Sequence, residues 1–380
     1  MKHSLFASMR RVNRMLRPAK MSKASQSMQR AVTGMMIDTA MAPLTAMTPP
    51  KPARRKAGAR KAAVSTTAKK PSGKGKQLKT KRSLLPRAKS SRPSLVPRIP
   101  TGAQFITRKH RSATGSRSYR LYLPASAPQA PNGLILMLHG CNQTADDFAV
   151  GTHMNAVAEK HGLAVAYPEQ TRRSNGASCW NWFRPRDQFR GAGEPAMLAA
   201  LARKLTREFG LDRSGVFVAG LSAGGAMAAI LVDVYPDVFS AAGIHSGLPR
   251  GAAHNTLSAM SAMRSGGNSE GAVPATLSAS PVRRIVFQGD SDKTIHPSNA
   301  PGLVTAALGL DAVPARTSNR SVRGRAYARS NFAGEDGKIL LELWVLEGGG
   351  HTWSGGRAAG SYTDTKGPDA SVQMVRFFLA

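Results

Sequence analysis

A serine lies between two glycines where an apolar run typical of a strand gives way to a run typical of a helix. The apolar run 216–221 is followed by Ser222, and Gly220 and Gly224 complete the pattern Gly-x-Ser-x-Gly, the sequence form of a nucleophile elbow. The glycines remove Cβ atoms that would collide in so sharp a turn, and the helix N-terminus offers unpaired N–H groups to an oxyanion. Ser222 is therefore a candidate nucleophile; the alternative is a glycine-rich turn with an incidental serine.

A serine nucleophile needs a base and an orienting carboxylate, and both have candidates later in the chain. Asp292 follows the apolar run 284–288 and is our candidate acid, with Asp290 as the alternative. His351 lies in a glycine-rich loop after the last apolar run and is our candidate base. The order Ser, Asp, His is the one expected for an α/β-hydrolase. Two rival bases also follow predicted strands: His245 and His296.

The oxyanion that forms beside the serine needs two backbone donors in such a fold. One is the N–H after the nucleophile, that of Ala223, and the other comes from the loop after an earlier strand. The run 138–143 supplies that loop, and we expect the Cys141 N–H to be the second donor, with His139 in a structural role. This chemistry needs no cofactor, and the chain's two cysteines do not provide a zinc-binding spacing.

Positioning these residues requires strands and helices in alternation, which the sequence shows from about residue 104. Apolar runs predict strands at 118–123, 134–139, 163–167, 216–221, 241–245, 284–288 and 339–346. Helical patterns occupy 152–161, 194–209 and the end of the chain from about residue 371. The alternation predicts an α/β-hydrolase fold, a mostly parallel sheet with helices on both faces. The weakly patterned stretch 251–280 is either a surface excursion or a lid.

The first quarter of the chain has a different composition. Residues 1–100 hold 25 Lys and Arg against one acidic residue, Asp38, a net charge of +24 out of +33. Segments this polar cannot bury enough apolar surface to fold, so we interpret 1–103 as a disordered basic arm and 104–380 as the catalytic domain. Residues 4–16 form either a short basic amphipathic helix or a frayed tail. The sequence has no recognisable secretory signal and no apolar stretch long enough to span a bilayer.

Five short motifs, in order, resemble one family: 138–141, 179–183, 220–227, 289–292 and 350–353. Together they are similar to the poly(3-hydroxybutyrate) depolymerase-type esterases, a family that also takes in feruloyl and acetylxylan esterases. The resemblance implies a Ser-His-Asp carboxylester hydrolase that acts through an acyl-enzyme on polyesters or polysaccharide-bound esters and is usually secreted. The basic arm and the lack of a recognisable signal depart from that pattern, so the extracellular expectation has a cytoplasmic alternative.

Two further features lie within the resembling motifs. A disulfide between Cys141 and Cys179 would tie the oxyanion loop to the tryptophan-rich loop, and the alternative is a pair of free, buried thiols. Three tryptophans could line an aromatic acyl cleft or could simply be packed in the core: Trp180, Trp182 and Trp353.

Three functions are compatible with these residues. The leading one is a serine esterase whose partner is an ester or polyester substrate. The second keeps the same triad in a peptidase or acyltransferase, because one fold hosts many reactions. The third makes the basic arm the functional part, in a protein that binds anionic surfaces or nucleic acid without sequence specificity and carries a vestigial hydrolase domain.

Overall fold

The computed structural model of this protein describes residues 97–266 and 282–380. The predicted helix at 4–16 lies outside the described residues, as does the basic arm apart from 97–103. The stretch 251–280, for which the sequence left a surface excursion or a lid open, is described only as far as residue 266.

Within the described residues, one large sheet carries the fold. Its strands are β1 (Gln104–Ser112), β2 (Gly115–Leu123), β3 (Gly133–Leu138), β4 (Leu163–Pro168), β5 (Val216–Leu221), β6 (Ala241–His245), β7 (Arg283–Gly289), β8 (Arg316–Val322), β9 (Arg325–Ala333) and β10 (Ile339–Leu346). They lie in the order β1-β2-β4-β3-β5-β6-β7-β10-β9-β8. The strands from β4 to β10 along this order pair in parallel, and the outer strands pair antiparallel. A separate short parallel pair joins β11 (Trp353–Ser354) to β12 (Thr363–Asp364).

Helices cover both faces of this sheet. They are α1 (Ala145–Thr152), α2 (Met154–Glu159), α3 (Gly193–Glu208), α4 (Ala223–Val234), α5 (Thr256–Ser265), α6 (Asn299–Leu308) and α7 (Ala370–Phe378). One apolar cluster includes residues of α3 to α6, and a second includes residues of α1, α2 and α7. Val218 of β5 belongs to the first cluster and Phe217 to the second. The central strands are therefore buried on both faces, which explains their continuous apolar sequences.

The α/β-hydrolase fold predicted from the sequence is confirmed, with several local differences. The helix predicted at 152–161 corresponds to α2, and α1 before it was not predicted; the two are separate because His153 adopts a left-handed conformation (φ 45°) between them. The hairpin β8–β9 and helix α6 were not predicted. In the stretch 251–266, helix α5 begins after Asn255, whose side chain accepts a hydrogen bond from the Ser258 N–H in a capping box. Among the described helices, none has the length and apolar character needed to cross a bilayer.

Candidate active site

Ser222 lies in the turn between β5 and α4 and has a strained backbone. Its φ of 57° and ψ of −120° are outside the regions that residues with a Cβ normally adopt. The Ser222 N–H donates to the carbonyl of His245 at the end of the neighbouring strand (2.9 Å), which holds the turn in place. This is the backbone geometry of a nucleophile elbow, and it sets the serine at the carboxyl end of β5.

The two flanking glycines are required by close backbone contacts. A Cβ on Gly220 would lie 2.4 Å from the carbonyl oxygen of Gly224, and a Cβ on Gly224 would lie 2.0 Å from the carbonyl oxygen of Leu138. Helix α4 therefore packs directly against the end of β3. A Cβ on Gly140 would lie 3.6 Å from the Ser222 Cβ. The loop that follows β3 is thus next to the serine.

Asp292 and His351 form a hydrogen-bonded pair at the same edge of the sheet. The Nδ1 of His351 lies 2.8 Å from the Asp292 Oδ2. The other carboxylate oxygen, Oδ1, accepts hydrogen bonds of 2.9 Å from the N–H groups of Thr294 and Ile295. Burial raises the pKa of Asp292, but the bonds from His351 and from these backbone groups outweigh it, so the pKa lies below its usual value. The carboxylate is therefore ionised at neutral pH and holds the imidazole with Nδ1 as the donor, which leaves Nε2 free to act as a base.

The topology brings these residues to the edge where Ser222 lies. Ser222 follows β5, Asp292 follows β7 and His351 follows β10, and these strands run in parallel. The alternative acid, Asp290, accepts hydrogen bonds from the Gly348 N–H (2.7 Å) and from the Ser291 hydroxyl (3.0 Å). Asp290 thus stabilises the loop that carries the histidine.

The two rival histidines have other surroundings. His245 is fully buried, its ring stacks on Phe287 and Trp353, and its Nε2 accepts the Ser354 N–H (3.1 Å). Burial, and to a lesser extent the charge of His351, lowers its pKa to about 3, so it is neutral at physiological pH. His296 is exposed, with its Nδ1 2.7 Å from the Ser298 hydroxyl.

The loop after β3 is fixed by buried hydrogen bonds. The His139 Nε2 accepts the Gln170 N–H (3.0 Å), which leaves Nδ1–H to donate to the Gly140 carbonyl (2.8 Å). Burial lowers the pKa of His139 to about 4, so this ring is a neutral structural element. The Gly140 N–H donates to the side-chain oxygen of Gln143 (2.9 Å). These bonds fix the backbone on either side of Cys141, next to Ser222.

Comparisons with known proteins agree with this geometry. The model of the family described as Esterase PHB depolymerase matches residues 117–326, more than half of the chain. The chain belongs to this family. The match includes Ser222 and Asp292 and ends before His351.

Similar proteins are esterases and depolymerases by name. "Poly(3-hydroxyalkanoate) depolymerase C" of Paucimonas lemoignei is 31% identical over 240 residues, which cover 60% of this chain and 56% of that protein. "Probable acetylxylan esterase A" of Aspergillus fumigatus is 26% identical over 218 residues, which cover 53% of this chain and 57% of that protein. The chain spans about half the length of these two relatives. The solved structure "Acetyl xylan esterase from Aspergillus awamori" has a TM-score of 0.53 at 19% identity, covers 66% of this chain and 93% of that chain, and shares the fold.

This Esterase PHB depolymerase family member has a disulfide beside the serine. Cys141 is bonded to Cys179, one of the two states that the sequence left open. The Asn142 N–H also donates to the Ala177 carbonyl (2.8 Å). Asn142 (φ 61°) and Ser178 (φ 52°) are both in the left-handed region, so the disulfide joins two loops that each contain a strained residue.

The burial of the three tryptophans corrects the hypothesis that they line an acyl cleft. Trp180, Trp182 and Trp353 are 0%, 5% and 1% exposed. The Trp180 indole donates to the His139 carbonyl (3.1 Å), and the Trp353 indole donates to the Ser371 hydroxyl (3.1 Å). The indole N–H groups of Trp180 and Trp353 are thus satisfied inside the protein, and all three rings pack among core residues. They support the loops of the site from within.

An aromatic residue that was not predicted to be part of the site, Tyr362, lies beside His351. Its ring centroid is 6.5 Å from that of His351, at a near-perpendicular angle, and the residue is 43% exposed. Its φ of 52° is unusual for a bulky residue. The preceding residue, Ser361, bonds through its N–H to Asp147 (2.9 Å) and through its carbonyl to the Gln143 amide (3.1 Å). The one signal in the sequence for this position beside His351 is an aromatic residue in the loop that follows the histidine motif.

Proposed function

We propose that the chain is a serine carboxylester hydrolase that cleaves polyester, oligoester or polysaccharide-linked ester bonds through an acyl-enzyme. The observation that carries the proposal is the hydrogen-bonded pair of the buried Asp292 and the partly exposed His351, at the same sheet edge as the strained Ser222. A hydroxyl in that turn needs only the free imidazole nitrogen to become a nucleophile.

In the proposed reaction, the Ser222 Oγ attacks the ester carbonyl carbon while the His351 Nε2 takes its proton. Asp292 keeps the imidazole in the required tautomer and stabilises the imidazolium. The negative charge that develops on the carbonyl oxygen is held by the N–H of Ala223, the first residue of α4, and by the N–H of Cys141. His351 then protonates the leaving alcohol, and water hydrolyses the acyl-enzyme by the same steps.

The substrate class is proposed from the relatives. Their printed names include a poly(3-hydroxyalkanoate) depolymerase, acetylxylan esterases and a feruloyl esterase. A polyester or polysaccharide ester is the substrate class these names have in common. None of them favours the peptidase, acyltransferase or binding-protein alternatives.

We assign catalysis to 104–380 and treat 1–103 as a basic arm that adds non-specific affinity for anionic surfaces. The disulfide supports an extracellular location over the cytoplasmic alternative, because such bonds form and persist in oxidising compartments.

The proposal is tested with Ser222→Ala. Hydrolysis of p-nitrophenyl butyrate should fall by roughly 10⁴-fold or more, and covalent labelling by a fluorophosphonate should disappear. Ser246→Ala is the matched control, because Ser246 is also buried, follows the neighbouring strand β6 and has a φ of 48°. The fluorophosphonate should label Ser246→Ala to the same extent as the wild type. Labelling of Ser222→Ala equal to that of the wild type would refute the assignment.

A substrate panel then tests the substrate class. Hydroxybutyrate oligomers, amorphous polyester and feruloylated sugars are compared with short acyl esters at equal enzyme concentration. Turnover of short esters alone would contradict the polymer assignment and leave the esterase assignment intact.

A further inference from the structure

A second concave site lies far from the proposed active site. A cavity of about 530 Å³ opens between β1 and α3. It is lined by three residues of α3, Ala200, Lys204 and Arg207, and by consecutive residues of β1: Lys109, His110, Arg111 and Ser112. We call these seven residues the basic groove. Strand β1 is the outermost of the sheet and lies four strands from β5, or about 19 Å at the usual strand spacing.

The basic groove is lined by four cationic residues and no acidic residue. In the part of the chain that the structure describes, no carboxylate lies within ion-pair distance of Lys109, Arg111, Lys204 or Arg207. The nearest acid along α3, Glu208, is already bonded to Arg108. Lys204 and Arg207 are three residues apart on α3 and so project from one face of the helix. They lie in its last turns, where the free backbone groups are carbonyls, so any attraction for an anion must come from side chains.

The basic groove also contains a buried imidazole, that of His110. His110 is 6% exposed, and its Nε2 makes no hydrogen bond to any described residue. Buried polar atoms nearly always have a partner in native proteins, so an unpartnered one that lines a cavity indicates a missing acceptor or donor. Burial, and then the charge of Lys204, lowers the pKa of His110. The negative charge of an anion bound in the groove would oppose both effects.

We propose that the basic groove binds a small, multiply charged phosphate anion, such as an oligophosphate or a nucleotide. From α3, the Arg207 guanidinium can donate a fork of hydrogen bonds to phosphate oxygens, and the Lys204 ammonium adds a point charge. Lys109 and Arg111 alternate with His110 along β1 and therefore project from the other face of the strand, where they add attraction at longer range. The volume lies in the range of small-molecule sites, about 300–1,000 Å³. His110 Nε2–H supplies one further donor from the groove wall. This site is separate from the proposed esterase function and does not depend on it.

The test uses the full chain and tripolyphosphate as the probe at about 0.15 M salt, which screens distant charges. Binding is followed by calorimetry and by the NMR signal of the His110 imidazole, which is assigned by its loss in His110→Asn. The proposal predicts that tripolyphosphate shifts this signal and raises the pKa of His110. The Lys204→Glu/Arg207→Glu double variant should weaken binding at least tenfold. Unchanged hydrolysis of p-nitrophenyl butyrate shows that the variant is folded.

The matched control is Lys160→Glu/Lys338→Glu, which changes the net charge equally at exposed positions outside the basic groove. It should bind like the wild type, since any affinity contributed by the basic arm is the same in all variants. ATP as a second probe distinguishes the two ligand sources: tighter binding than tripolyphosphate indicates a nucleotide, and equal binding an oligophosphate. If both double variants weaken binding to the same extent, or if the His110 signal does not respond, the proposal is wrong.

Discussion

The disulfide between Cys141 and Cys179 should contribute both stability and activity, and its removal separates the two. The bond closes a loop with a sequence separation of 38 residues. In the chain-entropy model a loop of that length costs the unfolded state about 13 cal/mol/K, so Cys179→Ala should lower the free energy of unfolding by about 4 kcal/mol. Cys179 is the residue to change, because the N–H of Cys141 is a proposed oxyanion donor.

Cys179→Ala should keep part of its kcat, even though its free energy of unfolding is much reduced. The two loops stay tied by the Asn142 N–H bond to Ala177 (2.8 Å) and by the Trp180 indole bond to His139 (3.1 Å). Loss of a complete oxyanion donor costs roughly 10²–10³-fold in kcat. A donor that is loosened but kept should cost less, about tenfold.

The assay is guanidinium unfolding followed by far-UV circular dichroism, together with hydrolysis of p-nitrophenyl butyrate. The wild type with reductant should match Cys179→Ala, and reductant should not change Cys179→Ala further. A variant within about 0.5 kcal/mol of the oxidised wild type would refute the reasoning, because the bond would then not constrain the unfolded chain.

Three further predictions follow from strain, positioning and buried histidines. Tyr362→Gly should stabilise the fold by about 1 kcal/mol, because glycine tolerates positive φ, and it should lower kcat/KM for bulky esters. The control Arg323→Gly (φ 48°) should stabilise the fold similarly without a kinetic change. Equal kcat/KM values for the two variants would contradict a contribution of the Tyr362 ring to catalysis. Gln143→Ala should lower kcat by about tenfold with little change in KM, since it removes the acceptor that orients the oxyanion loop. The pKa values of about 4 for His139 and about 3 for His245 mean that the unfolded chain binds more protons than the folded chain below pH 6.5. The free energy of unfolding should therefore fall as the pH decreases from 6.5 to 4, by up to ~1.4 kcal/mol per pH unit for each histidine. Denaturant titrations at pH 7, 6 and 5 measure this free energy, and a value that does not change with pH would contradict the prediction.

The sequence predicted those parts of the fold whose burial leaves a local pattern. Strand β10 and strand β6 were predicted at their observed ends because both have neighbours on each side in the sheet and are mostly buried, so their sequences are largely apolar. The hairpin β8–β9 was missed because its strands are rich in polar and half-exposed residues. The break between α1 and α2 was missed because a histidine, not a glycine, adopts the left-handed conformation there.

In the candidate site, the residues that are positioned by the end of a strand could be predicted from the sequence. Those whose position depends on a contact with a distant part of the chain could not. Asp292 and His351 each follow a strand, so topology alone predicted that they would meet. The burial of Trp180 depends on packing against residues far away in the chain, and no local pattern reports that. Tyr362 was overlooked for the same reason, because its loop is held by Asp147, which is 214 positions from Ser361.

The order of the strands also determines when during synthesis the site can form. Ser222 precedes His351 by 129 positions, and at translation rates of ~5–20 residues per second that interval is on the order of 10 s. During that time a nascent chain on the ribosome carries the elbow without the loop that supplies the imidazole. Hydrolysis would thus begin only when β10 has joined the sheet and the following loop has docked, so a truncated translation product should be inert.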